Sequence, residues 1–529
     1  MKSVLKYIYP NYKILSIFLV IDIITLILSY KIFVLPFTVL PFIFILIFFF
    51  FSAISATLQN PNLGILMAFA LMPFERIGGF YYHSIHIRFD QLIIGIAVFT
   101  FLISALLLKR FKIKKDPVFI VILVLLAVNV LSIVNAVNIT REIEILLFTF
   151  ITYIVYFLVP FNFFNIKYVK YIPYIVFSVT ILLSVFGLFQ YFGNLIFNLP
   201  GSVVGLSAPY VKNVLGYPRI QATEVEPLYY GTYLIFSITL ALGYIIAYIK
   251  EYGLLSKVKN FKDKIISKNL FILSIITFLL GGINLILTYA RGAWIGEILA
   301  IIVLLGFLVY IYNINKKIII TIVLAFIILI SMFFVLQSVH KLPHFAAKLS
   351  QRAENLSSPD RVFLDNNATQ AFATHPILGI GVGGFGPYMS INPYVTPPAL
   401  YKQFEGYGWA IVNNEYLEIL TETGILGFIT FTSLIILILY KGVKASIIKN
   451  RNLDLDNKFL RITLISSIAA LVGILLQYLT FSTLYILQIW LVLMLVYLIS
   501  HHILKETRLG GSGSNSVRSK KSELNDTKS

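Results

Sequence analysis

The feature that most constrains this chain is a series of uninterrupted apolar runs, each about 20 residues long. Wound as helix, such a run matches the ~30 Å hydrocarbon core of a bilayer. Hydrophobic residues fill 59% of the 529 positions and charged residues only 12%, against about 25% charged in a soluble domain. The runs are continuous rather than alternating, so the spanning elements are expected to be helices and not the strands of a closed barrel. An all-α polytopic membrane protein of about 12–14 transmembrane helices is therefore expected. Candidate spans lie near 13–30, 33–56, 61–73, 87–108, 117–135, 143–164, 172–193, 227–249, 270–289, 292–312, 317–336, 415–440, 462–480 and 483–504. The run at 61–73 is too short to cross unaided.

Orientation follows from Lys and Arg, which accumulate on the cytoplasmic side. With the N-terminus inside, 30 of the 42 basic residues fall in inner segments, and the opposite orientation inverts the ratio. Both termini are thus expected to be cytoplasmic, in a cytoplasmic (inner) membrane. This placement accounts for the +19 charge, so no nucleic-acid partner is expected and membrane lipids are. Residues 1–29 lack a small-residue cleavage pattern and read as a first helix that stays. Cysteine is absent, which excludes disulfides, thiolate nucleophiles and Cys-ligated metals.

Two outer segments stand apart. Residues 198–226 form a loop punctuated by Pro and Gly, and 337–414 is 78 residues long, far beyond an ordinary connection. Amphipathic patches at 345–356 and 361–374 predict a small helical cap there. The expected organisation is 1–336 as transmembrane helices with the outer loop 198–226, 337–414 as an extracytoplasmic cap, 415–504 as C-terminal transmembrane helices, and 505–529 as a disordered cytoplasmic tail. No internal repeat is visible.

Laid on this topology, the polar outliers converge on the outer face. They are Arg219 in Tyr217-Pro218-Arg219, Arg291 at the hinge of a helical hairpin, and Asn413-Asn414-Glu415 at the entry of a late span. Arginine at that depth can hold a pyrophosphate through always-charged, bidentate hydrogen bonds. Each residue also has a plainer role open to it. An interfacial Arg can simply reach lipid headgroups, Gly292 can serve close packing, and an Asn before a helix is commonly its N-cap. Glu226 lies at the mouth of a span, where burial raises a carboxyl toward base function, or it caps the helix or pairs with Arg219. His340, His344 and His375 share the long loop without metal-ligand spacing, so no metal and no cofactor is expected.

Asn413-Asn414, nine residues, then Gly424-Ile425-Leu426-Gly427 resembles the signature of the O-antigen ligase/polymerase superfamily. That signature is His, then Asn, Ser or Gln, nine residues, Gly, two residues, and Gly, Thr or Tyr. The resemblance extends to Tyr289-Ala290-Arg291-Gly292-Ala293-Trp294 and to His375-Pro376-Ile377-Leu378-Gly379-Ile380-Gly381-Val382-Gly383, with Arg361 at a family-like interval before the latter. Glu224-Val225-Glu226-Pro227 is similar to a Glu-Pro turn of bacterial polysaccharide polymerases. The family histidine is Asn413 here, which cannot titrate.

The resemblance implies a GT-C-like glycosyltransferase that needs no metal. It would transfer or polymerise glycan from an undecaprenyl-pyrophosphate-type lipid donor onto a glycan, lipid or protein acceptor. Arg219, Arg291 and Arg361 would bind the pyrophosphate, and the candidate catalytic residues are Asn413, Asn414, Glu226 and Glu415. Polymerase, lipid A-core ligase and protein O-glycosyl ligase remain alternatives. So does a lipid-linked-oligosaccharide flippase, which would show related halves and mid-membrane ionisable groups.

Overall fold

The structure, a computed structural model, describes residues 52–75, 79–82, 85–107, 116–211, 216–252, 266–312, 359–391, 410–448, 455–482 and 487–526. The expected spans at 13–30 and 317–336, most of that at 33–56, and the patch at 345–356 lie outside these residues. Within them the fold is helical: α1 (Pro61–Leu71), α2 (Phe89–Leu107), α3 (Pro117–Ser132), α4 (Ile139–Ile151), α5 (Ile172–Leu195), α6 (Pro227–Tyr252), α7 (Lys268–Leu287), α8 (Arg291–Tyr312), α9 (Pro359–Thr374), α10 (Phe385–Ile391), α11 (Glu415–Ile447), α12 (Leu455–Gln477) and α13 (Leu487–Asp526). α4 continues through a π-helical stretch, Thr152–Leu158, to Phe163.

Among the described residues, nine helices are long and apolar enough to cross a membrane. This is an all-α, multi-pass membrane protein. A departure from helix is the antiparallel ribbon Gly79–Tyr82 with Ile85–Arg88. It occupies the start of the span expected at 87–108, which begins at Phe89 instead. The last helix also runs on to Asp526, through the tail expected to be disordered. Extending a formed helix costs far less than nucleating one, so an apolar span can carry a polar continuation.

Helix starts are set by local sequence. Asn60, Asp116, Asn138, Ser267 and Asn414 each place a side-chain oxygen on a first-turn N–H, which satisfies an otherwise orphaned donor. Pro61 and Pro117 follow two of these caps, where a missing N–H is harmless. Small residues bring α8 against α12: a Cβ on Gly296 would lie 2.7 Å from the Gly473 carbonyl. With no water to squeeze out between membrane helices, such close backbone contact is what holds them.

α11 is one apolar run in sequence but is broken at Gly424 (φ 65, ψ −169). A strap of chain from Pro376 to Phe385 enters the break. The Ile380 and Gly381 amides donate to the Thr421 and Glu422 carbonyls at 3.0 Å each, and Ile425 N–H donates to the Pro376 carbonyl at 2.9 Å. The groups freed by the break are thereby satisfied, as buried backbone must be.

Near the other end of α11, Lys441 meets Asp116 at 2.9 Å, with Tyr497 and His501 of α13 bonded to the same carboxylate. Burial opposes ionisation there, but the bonds from His501, Tyr497 and Lys441 win and hold Asp116 well below the usual carboxylate range.

Candidate functional site

The α7–α8 hairpin organises one end of the bundle. Tyr289 turns the chain with φ 52. Ala290 N–H donates to Thr288 Oγ1 at 3.2 Å, and Trp294 Nε1 donates to the Leu285 carbonyl at 2.8 Å. The turn puts Arg291 at the first residue of α8. Gly292 lies so close to the turn after α12 that a Cβ would run into the Thr480 hydroxyl.

Arg219 comes to this hairpin from a loop 70 residues earlier. Its Nε donates to the Thr288 carbonyl at 3.1 Å, and Ile220 N–H donates to the Leu287 carbonyl at 3.3 Å. The guanidinium lies over the Tyr210 ring at 5.7 Å, and Tyr217 stacks on Tyr289 at 6.4 Å. Gln190 of α5 pins the loop from behind: its Oε1 accepts the Ala222 N–H at 2.9 Å and its Nε2 donates to the Ala222 carbonyl at 3.0 Å.

Arg361, in the first turn of α9, arrives beside Arg291. Burial and the like charge of Arg291 both push its pKa down, and Asp365 one turn on opposes them. It remains charged at neutral pH, as arginine does in proteins. Two half-buried guanidinium groups therefore stand near one another, with Arg219 fastened to the same hairpin.

Asn413 and Asn414 stand just before α11. Asn413 is in the left-handed region at φ 57. Asn414 is the helix N-cap, its side-chain oxygen accepting the Leu417 N–H at 3.3 Å, which is the plainer role weighed for it. Glu415 is 1% exposed, and its N–H donates to the Tyr478 carbonyl at 2.9 Å. Tyr478 and Thr480 both lie in the turn that follows α12, which links this helix entry to the arginine hairpin.

Glu226 occupies the capping position of α6, where its carbonyl accepts the Tyr229 and Tyr230 amides at 3.1 and 3.2 Å. Its carboxyl is raised by burial first, lowered by Arg219 and raised again by Glu75. Tyr229, one turn along, is within electrostatic reach of Glu226, Glu75, Glu418 and Glu224. The loop carboxylate and the start of α11 thus face a common tyrosine.

Other buried carboxylates were not anticipated. Glu224 is bonded by Gln488. Glu418 accepts the Val412 N–H at 2.8 Å, and Glu422 takes two amides of the strap. Glu415, Glu418 and Glu422 line a small cavity with Asn129, Thr149 and Tyr153. Their spacing was a usable signal, since carboxylates at i, i+3 and i+7 in an apolar helix share one face. His375 is a loop residue, its ring nitrogen 2.9 Å from Thr374 Oγ1; His340 and His344 lie outside the described residues. Among the described residues no group of three His, Asp or Glu side chains is placed to hold a metal.

No curated protein matches the chain. Residues 276–432 match the O-antigen ligase family, a stretch that takes in the Arg291 hairpin, Arg361, the strap and the broken helix with its Asn-Asn entry. The chain thus carries, over residues 276–432, the O-antigen ligase domain of the O-antigen ligase/polymerase superfamily.

Proposed function

We propose that this protein transfers or polymerises glycan from an undecaprenyl-pyrophosphate-type lipid at the outer face of the cytoplasmic membrane. The observation that carries the reading is the meeting of Arg291 and Arg361 at the hairpin that also holds Arg219. Half-buried like charges repel, and an anion with several oxygens, such as a pyrophosphate, is the natural partner for them.

In this reading Arg219, Arg291 and Arg361 neutralise the donor's pyrophosphate. An acceptor hydroxyl attacks the anomeric carbon. The bond from that carbon to the pyrophosphate oxygen breaks, and the electron pair leaves on the lipid pyrophosphate with inversion at carbon. Charge stabilisation by fixed arginines takes the part that a metal plays elsewhere. Glu226, with its raised affinity for protons, accepts the hydroxyl proton, with Glu415 as the second candidate. Asn413 orients acceptor or phosphate by hydrogen bonds, since an amide both donates and accepts. Asn414 supports that geometry from its capping position. The segment 337–414 shapes the acceptor side, and the acceptor is a glycan, lipid or protein hydroxyl. The Glu-Pro turn at Glu226-Pro227 favours polymerisation.

Arg291→Ala and, separately, Arg219→Ala are expected to abolish transfer from a purified lipid-linked donor while membrane abundance stays near normal. Lysine at either position should rescue poorly, because it lacks the planar fork. Full activity in both alanine variants would reduce these residues to headgroup anchors and remove the basis of the proposal.

A further inference from the structure

Glu422 lies on α11 two residues before the break and is 5% exposed. Its carboxylate takes two main-chain amides of the strap at once: Oε2 accepts Gly383 N–H at 2.8 Å and Oε1 accepts Phe385 N–H at 3.3 Å. Its own carbonyl accepts the Gly381 N–H at 3.0 Å. The strap fits the helix so closely that a Cβ on Gly379 would run into the Glu422 carbonyl. One residue therefore holds three main-chain amides of the strap, those of Gly381, Gly383 and Phe385. A carboxylate suits the task because both oxygens accept, whereas an amide offers only one acceptor.

The strap is the direct continuation of α9. Gly379 N–H donates to the His375 carbonyl at 2.8 Å, just past the helix end at Thr374. Midway along α9, Thr421 Oγ1 donates to the Ala368 carbonyl at 3.0 Å. Arg361 stands at the far end of α9, a lever of about 20 Å from the strap at 1.5 Å per residue. A tilt of about 10° at the strap would carry the guanidinium about 3.5 Å over that length, more than bidentate recognition of a phosphate tolerates.

We infer that Glu422 is a positioning residue for the donor: by pinning the strap into the broken helix it holds α9 at the angle that sets Arg361 beside Arg291. The inference rests on the reading of Arg361 as a pyrophosphate contact. The strap keeps other tethers that do not use the carboxylate: Asn135 Nδ2 donates to the Gly379 carbonyl at 2.8 Å, and the main-chain bonds of Ile380, Gly381 and Pro376 to α11 remain. Loss of the Glu422 carboxylate should therefore loosen α9 without unfolding the bundle.

The test uses the full-length chain, whose lack of cysteine allows nitroxide labels at Thr369→Cys on α9 and Tyr440→Cys on α11. Distances between the labels and steady-state kinetics on a lipid-linked donor are measured for the parent, Glu422→Gln, Glu422→Ala and Arg361→Ala. Glu422→Ala is expected to broaden the distance distribution and to raise the donor KM by roughly ten- to a hundredfold, with a smaller change in kcat. Glu422→Gln should fall between it and the parent. An unchanged distribution in Glu422→Ala, or a loss in kcat alone, overturns the inference. If α9 loosens in Glu422→Ala while Arg361→Ala leaves KM untouched, the pin stands and the pyrophosphate role of Arg361 falls. If Arg361→Ala raises KM while Glu422→Ala changes nothing, that role stands and the pin falls.

Discussion

Asn413, which by the resemblance stands where the family carries histidine, sits at φ 57. Few side chains tolerate that conformation, and Asn, Asp and His are the non-glycine types most enriched there. The exchange of His for Asn thus preserves the backbone that delivers the chain into α11 and removes only the titrating ring. In the proposed reading proton transfer falls to a carboxyl, with Glu226 the first candidate. Burial, then Glu75, raise it from the usual 4.5, against the pull of Arg219. A carboxyl raised in the folded state stabilises the fold while protonated, below the unfolded value. That contribution is lost as pH rises through the raised value. Glu226→Gln cannot ionise, so its thermal midpoint should exceed the parent's at about pH 8 and match it at about pH 4. Activity should move the other way: the parent's rate rises through the same ionisation, and Glu226→Gln costs roughly 100-fold and flattens that limb. A silent Glu226→Gln would pass the base role to Glu415.

The two glycines of the Gly424-Ile425-Leu426-Gly427 motif do different work within one element. Gly424 holds φ 65 and ψ −169, and a Cβ there would strike the Ile377 carbonyl. Gly424→Ala should cost about 1–3 kcal/mol in backbone strain alone, besides expelling the strap. It should appear as a lowered thermal midpoint together with lost activity. A Cβ on Gly427 would crowd the Thr423 Oγ1 and Cβ one turn back, but Gly427 is not among the residues with positive φ, so Gly427→Ala avoids the left-handed strain and leaves the strap in place, and should be milder. Equal effects from the two would mean that the break is not what the motif maintains. The element boundaries near the site were legible: 227, 415 and the turn before Arg291 are all marked by Pro, Asn or Gly next to apolar runs. The break itself was not, because hydropathy through 415–440 is continuous and a lone Gly is tolerated inside a helix. The contacts of Arg219 with Thr288 and of Glu422 with the strap join residues 69 and 39 apart. No local periodicity reports such a pair, so the arginines could be placed at one depth by topology but not brought together. The ribbon at 79–88 was hidden for a third reason: Ile85-His86-Ile87-Arg88 alternates as a strand does, but merges with the apolar run that follows it.

At the scale of the whole molecule, the two ends of the bundle differ in chemistry, and the difference makes orientation testable. One end carries the arginine hairpin, the capped entry of α11 and the strap. The other carries the Asp116–Lys441–Tyr497–His501 cluster. Basic residues are retained on the cytoplasmic side, so the arginine hairpin is expected to face outward, the orientation that the proposed transfer from an outer-leaflet donor requires. Two positions report the two ends without touching either cluster: Ile377, 63% exposed on the strap, and Lys505, exposed near the apolar end of α13. In a chain without cysteine, Ile377→Cys should react with a membrane-impermeant maleimide in intact cells. Lys505→Cys should react only after the inner face is opened. The reverse pattern would turn the arginine hairpin toward the cytoplasm. Transfer at the outer face would then be impossible for this chain, while the helix packing and the strap in the broken helix would stand unchanged.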